Sequence, residues 1–129
     1  METNHILVMF GAAERGEMRA PILCNDMAHL AEALGNPPDE SQGIPFAIQA
    51  LLFNRTVYYV RVEEEGFSRA DYFQGFSLLQ TSNLLPKLTA IGLPGVDDSE
   101  LIDAASQLCH PYKSMLITSE QDLFDYLTA

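Results

Sequence analysis

The chain has 129 residues, 47% of them hydrophobic, with seven Phe, five Tyr and no Trp, and its 18 acids against seven lysines and arginines leave a formal net charge of −11. That length suits one compact domain, residues 1–129, and is short for two; the acidic balance repels a duplex phosphate backbone and an anionic bilayer, so nucleic acid and membrane are not expected partners. The longest apolar runs, Ile6 to Phe10 and Ala47 to Phe53, fall well short of the roughly 20 residues that span a bilayer, and the start of the chain has neither the basic segment nor the long apolar segment of a signal peptide, which predicts a soluble protein made in the cytoplasm.

Taken in chain order, His5 to Phe10 is a continuous apolar run ended by Gly11 and reads as a strand, and the charged stretch Ala12 to Arg19 reads as a loop. A short strand follows at Pro21-Ile22-Leu23-Cys24. Asn25 suits the N-cap of a helix beginning at Asp26, whose acid favours the positive end of the helix dipole. Met27, Leu30, Ala31 and Leu34 are expected to line its buried face and Gly35 to end it. Asn36 to Gln42, with Pro37-Pro38 and two acids, reads as an exposed, mobile loop. Pro45 fits a first helical turn, after which Ile44, Ala47, Ile48 and Leu51 form one face and Phe46 and Phe53 project from the other. Such a helix is packed on both sides, and the second side is expected to be covered by the chain itself.

Thr56 to Glu63 is β-branched and aromatic at both alternating sets of positions, the pattern of a strand covered on both faces. Glu63-Glu64-Glu65 reads most economically as a solvated strand exit, and at an interface it could pair with Arg or Lys of a partner. Tyr72, Phe73, Phe76 and Leu79 recur at helical spacing. A strand at about Leu88 to Ile91, introduced by Pro86, leads into the turn Gly92-Leu93-Pro94-Gly95. Asp97, Asp98, Ser99 and Glu100 open a helix whose buried face is Leu101, Ile102, Ala105, Leu108 and Cys109 and which Pro111 stops. Lys113 to Thr118 reads as a last strand, and a final helix carries Leu123, Phe124 and Leu127. Strands alternating with helices imply right-handed β-α-β units. The fold class expected is α/β, a three-layer sandwich around a mainly parallel central sheet of about four or five strands.

The residues that carry chemistry are sparse. A phosphate loop needs glycines leading into free helix N–H groups, and the nearest candidate, Gly92 to Gly95, leads instead into Asp97, Asp98 and Glu100, where negative charge would sit at the phosphate position. Those acids offer oxygen ligands of the kind a divalent cation takes, but helix capping accounts for them more simply. His5, His29 and His110 lack metal-ligand spacing and read as surface residues. Cys24 and Cys109 form no C-x-x-C pattern and read as buried thiols. No G-x-S-x-G elbow or local cysteine nucleophile signature is present. No catalytic, cofactor-binding or metal residue is assigned, and the protein is not expected to be an enzyme.

The order of these pieces resembles the core of contractile tail sheath proteins. Pro21-Ile22-Leu23 resembles the family's "P-V/I-L" strand, Leu34-Gly35 its helix end, Ala47 to Phe53 its apolar "A-V-x-x-F-F-x-N" helix, and Val57-Tyr58-Tyr59-Val60-Arg61-Val62 its "Y-V-V-R-V" strand. Leu7 to Gly16 is similar to the strand that reaches "V-G-x-A-x-x-G", and Tyr72 to Leu79, Leu88 to Gly95, Ser99 to His110 and Met115-Leu116-Ile117 resemble the segments that follow, so the likeness runs from Ile6 to about Ser119. It implies a structural, assembling protein of a phage tail or related injection system, associating with itself, with full-length sheath, or with tube or baseplate proteins. Two departures stand out: the exchange arms that flank this core in sheath subunits are not seen, and Ser119-Glu120 replaces the family's acidic "D-x-P" turn. Two other readings stay open beside it, a small ligand-binding or enzymatic domain with its site at the strand carboxyl ends near Gly92 to Asp98, and a regulatory or adaptor domain on the same fold.

Overall fold

The structure, a computed structural model, describes residues 5–128. Five strands, β1 (Ile6–Gly11), β2 (Ile22–Cys24), β3 (Thr56–Arg61), β4 (Ala90–Gly92) and β5 (Met115–Ile117), form one sheet in the order β2-β3-β1-β4-β5. β1 pairs in parallel with β3 and β4, β4 pairs in parallel with β5, and β2 lies antiparallel on the outer side of β3. The helices are α1 (Met27–Leu34), α2 (Gly43–Leu52), α3 (Arg69–Thr81), α4 (Ser99–Cys109) and α5 (Glu120–Thr128). The expected three-layer α/β architecture is what the chain adopts.

Alternation along the central strand builds two cores. Successive side chains of a strand point to opposite faces, so Leu7 and Met9 join Val57 and Tyr59 beneath α1, α2 and α5, whereas Val8 and Phe10 join Val60 and Ile91 beneath α3 and α4. All of these side chains are buried, which is why β1 and β3 carry no polar face to reveal an outside. The chain passes from β1 to β3 by way of α2, then crosses back over β1 through α3 to reach β4. This reversal places a topological switch point at the carboxyl ends of β1 and β4, where doubly wound sheets hold their ligands.

Several local expectations are corrected. Asp26, not Asn25, is the N-cap of α1: its backbone is extended (φ −153°) and its carboxylate accepts from the His29 N–H at 2.8 Å. The helix therefore begins one residue later, Leu30 and Leu34 are its buried pair, and Met27 and Ala31 are exposed. In α2 the buried set is Gly43, Ile44, Phe46, Ala47 and Ala50, so Phe46 is covered by the chain itself but Ile48 and Leu51 are only half-buried, and Phe53, the C-cap, is exposed. Ile102 is likewise half-buried. Phe73 and Phe124 are exposed, one position off the buried stripes of α3 and α5. Pro86 sits in a 3-10 turn (Leu85–Lys87) and β4 starts after it, at Ala90. Pro111 likewise sits in a 3-10 turn (His110–Tyr112) that extends α4, and Lys113 is a left-handed residue (φ 56°) rather than part of β5.

Candidate functional site

At the carboxyl end of β1 the crevice is occupied by the chain's own groups. Gly11 and Gly43 face each other so closely that a Cβ on Gly11 would come within 2.8 Å of the Gly43 Cα and 2.7 Å of Glu65 Oε1. This brings the first turn of α2 onto the strand end, and Gln42 at its N-cap position makes no side-chain cap bond. The acceptor that the exposed helix N–H groups need comes instead from Glu65, in the loop after β3. Glu65 Oε1 accepts from the Ala12 N–H (3.0 Å), the Ser41 hydroxyl (2.9 Å) and the Gly43 N–H (3.1 Å), and Oε2 accepts from the Gln42 N–H (2.6 Å). A carboxylate thus holds the position at a helix N-terminus that a phosphate takes in nucleotide-binding sheets.

Tyr59 seals the floor of the same place. Its hydroxyl donates to the Ala12 carbonyl at 2.8 Å, and burial, followed by the charge of Glu65, pushes its ionisation far above the ordinary tyrosine range. Next to it, the Tyr72 hydroxyl accepts from the Gly66 N–H at 2.7 Å. Its pKa is raised to about 12 by burial, against which the bond from Gly66 acts.

The segment Gly92 to Asp98 is covered rather than open. Gly66 (φ 89°) lies against it so that a Cβ there would meet the Gly95 carbonyl oxygen at 2.6 Å, and Leu93, Pro94 and Val96 are buried. Asp98 caps α4 by accepting from the Glu100 N–H at 2.9 Å. Arg69, at the start of α3, pairs with Asp98 (3.0 Å) and Glu100 (2.6 Å) while its guanidinium lies 5.8 Å from the Phe73 ring centre. Asp97 remains exposed.

Arginines lace the loop between β1 and β2 across this edge. Arg61 donates to the Gly16 carbonyl (2.8 Å), and Arg15 donates to the carbonyls of Glu32 (2.9 Å) and Ala31 (3.1 Å) at the end of α1. Arg19 pairs at 3.3 Å with Asp71, which is 6% exposed and also accepts from the Glu63 N–H at 2.9 Å. These bonds tie the edge to itself, and the buried Arg19 Nε is left without a partner among the described residues.

The remaining candidates do not converge. His29 and His110 are exposed; His5 is half-buried, edge-on to Tyr126 at 6.3 Å. The thiols of Cys24 and Cys109 lie in opposite cores, and burial raises both to about 11. Among the described residues no group of three His, Cys, Asp or Glu side chains is placed to hold a metal ion, and no helix is long and apolar enough to cross a membrane. An open groove of about 310 Å³ lies instead on the outer layer between α3 and α4, lined by Phe73, Phe76, Gln80, Gln107 and Leu108 among others.

Glu65 is the residue that sequence reasoning missed. The sequence groups it with Glu63 and Glu64 as one solvated run; those two are exposed, whereas Glu65 is half-buried. No sequence signal points to it, because only the fold shows that Gln42 at the N-cap position of α2 makes no side-chain cap bond and that the acceptor comes from elsewhere. No family model, no curated protein and no solved structure matches the chain.

Proposed function

We propose that the protein is an assembly module of the contractile-sheath type, acting by association with protein surfaces rather than by catalysis. The observation that carries this reading is the filled crevice: the place where a doubly wound sheet binds small molecules is closed by Glu65, Tyr59 and the Gly66–Gly95 contact. Among the side chains left for outside contacts are large apolar ones on the outer helices and loops. Leu52 is 68% exposed, Phe124 60% and Phe53 47%, and exposed aliphatic and aromatic groups of this kind commonly mark protein contacts. The resemblance of the sequence to sheath cores suggests the class of partner, namely copies of itself, full-length sheath, tube or baseplate proteins.

Sedimentation velocity over a range of protein and salt concentrations tests the proposal. Concentration-dependent growth into oligomers, rings or filaments is the expected result. A monomer under every condition that also fails to bind sheath, tube or baseplate proteins would overturn it.

A further inference from the structure

The cations of this acidic chain are distributed unevenly between its two ends. Arg15, Arg19, Arg55, Arg61 and Arg69 are each bonded to backbone carbonyls or carboxylates of the protein itself. The two lysines are not: among the described residues neither Lys87 nor Lys113 takes part in an ion pair. Both are exposed and both precede a strand at the amino edge of the sheet, Lys87 before β4 and Lys113 before β5. The Ser114 hydroxyl donates to the Leu88 carbonyl at 2.8 Å and the Met115 N–H to the Thr89 carbonyl at 2.9 Å, so the two lysine-bearing segments run side by side. His110 and Tyr112 belong to the same patch; Tyr112 is 44% exposed, and the Lys113 N–H donates to the His110 carbonyl.

The opposite edge carries the reverse sign. Glu17, Asp39, Glu40, Glu63, Glu64 and Asp97 are all exposed in loops at the carboxyl ends of the strands or beside the start of α2. In the loop after β3, next to Glu63 and Glu64, Phe67 stands 72% exposed. Each edge therefore presents an aromatic side chain among charges, basic at one end and acidic at the other. Matching of that kind steers association and fixes orientation.

We infer that the Lys87–Lys113 patch docks on the acidic carboxyl edge of a second copy of this chain, giving a head-to-tail contact. Because the two faces differ, the contact does not close on itself as a two-fold dimer does and repeats into a row. This rests on the proposed self-association and specifies the surfaces that make it.

The net charge of −11 opposes any contact between copies, and the range of that repulsion decides how salt acts. At about 0.01 M ionic strength the Debye length is about 30 Å, so whole molecules repel; at about 0.15 M it is about 8 Å, and only the facing edges interact; at about 1 M it is about 3 Å, and the attraction is screened as well. Association through this contact passes through a maximum at intermediate salt. Association through apolar faces alone strengthens steadily as salt rises.

The experiment is a charge swap read by sedimentation velocity at about 0.15 M salt. Lys87→Glu with Lys113→Glu makes both edges acidic, and Glu63→Lys with Glu64→Lys makes the carboxyl edge far less acidic opposite an intact lysine patch. Each variant alone is expected to associate at least about tenfold more weakly than the natural chain, and an equimolar mixture is expected to regain association. If the natural chain associates and the lysine variant associates equally well, the head-to-tail contact is overturned while assembly stands. If the lysine variant loses association and the mixture does not restore it, the patch meets some other acidic surface and the contact is again overturned. A natural chain that stays monomeric throughout overturns self-association and this contact together.

Discussion

Replacing Glu65 by Gln changes one atom in shape and removes the charge that four donors converge on. The retained carbonyl can still accept from Ala12, Ser41 and Gly43, but the new amide nitrogen faces the Gln42 N–H, a donor set against a donor at the shortest of the four contacts, 2.6 Å. Hydrogen bonds to charged groups contribute about 1.5–3 kcal/mol each against about 0.5–1.5 kcal/mol for neutral ones, and the charge at the helix start adds about 0.3–1 kcal/mol. The contributions do not add fully and the side chain is only half-buried, so the net loss expected is about 2–4 kcal/mol. For a domain of this size that is a fall in Tm on the order of 10 °C. Urea unfolding followed by circular dichroism measures it directly, with Glu64→Gln as the exposed neighbour expected to lie within about 0.5 kcal/mol of the natural chain. A Glu65→Gln protein as stable as the Glu64→Gln control would refute the account of the closed crevice.

Gly11→Ala places a methyl group against the Gly43 Cα and Glu65 Oε1, where backbone cannot yield, and should cost about 3 kcal/mol or more in the same assay. Tyr59→Phe leaves the Ala12 carbonyl without its 2.8 Å donor and should cost about 1–2 kcal/mol; an unchanged unfolding midpoint would show that water replaces the bond. Alkaline pH should weaken the fold: the thiols of Cys24 and Cys109 ionise near 9.0 when unfolded and about 11 when buried, so between these values the folded state holds protons that the unfolded state has released. Stability is then lost as pH rises from 9 towards 11, by at most about 1.4 kcal/mol per pH unit for each thiol, with Tyr72 adding to the fall above its ordinary value of 10.0. Unfolding midpoints measured under reducing conditions from pH 8 to 11 would contradict this if they stayed level. Both thiols should also resist a water-soluble disulfide reagent at pH 8 in the folded protein and react at once in denaturant; fast labelling of the native chain would place one of them at the surface.

The layered α/β plan was legible because β1 and β3 are apolar at both alternating positions, which only a sheet covered on two faces requires. The direction of β2 was not: Ile22, Leu23 and Cys24 mark a strand, but three residues carry no indication of whether it lies along or against β3. Aromatic residues at helical spacing suit two adjacent positions equally, so the pattern did not tell which of them the core takes, and packing chose Tyr72 with Phe76 in one helix and Leu123 with Leu127 in the other. Asn25 and Asp26 are both good caps, and one rotation of the backbone decides between them. The crevice was invisible for a different reason. Glu65 acts on residues 22 to 53 positions away, and no local pattern distinguishes it from the two glutamates beside it.

The placing of β1 at the middle of the sheet bears on how the chain reaches this structure. It is the first of the five strands in chain order, yet its partners come late, and the Thr89 hydroxyl closes onto the Ile6 carbonyl across 83 positions. Contacts of such separation slow folding, because loop closure precedes the gain from pairing. Until β3 and β4 are made, a six-residue strand with apolar side chains on both faces has two unpaired edges, a form prone to join other chains. β1 is thus shielded at both edges only once β3 on one side and β4 on the other have paired with it.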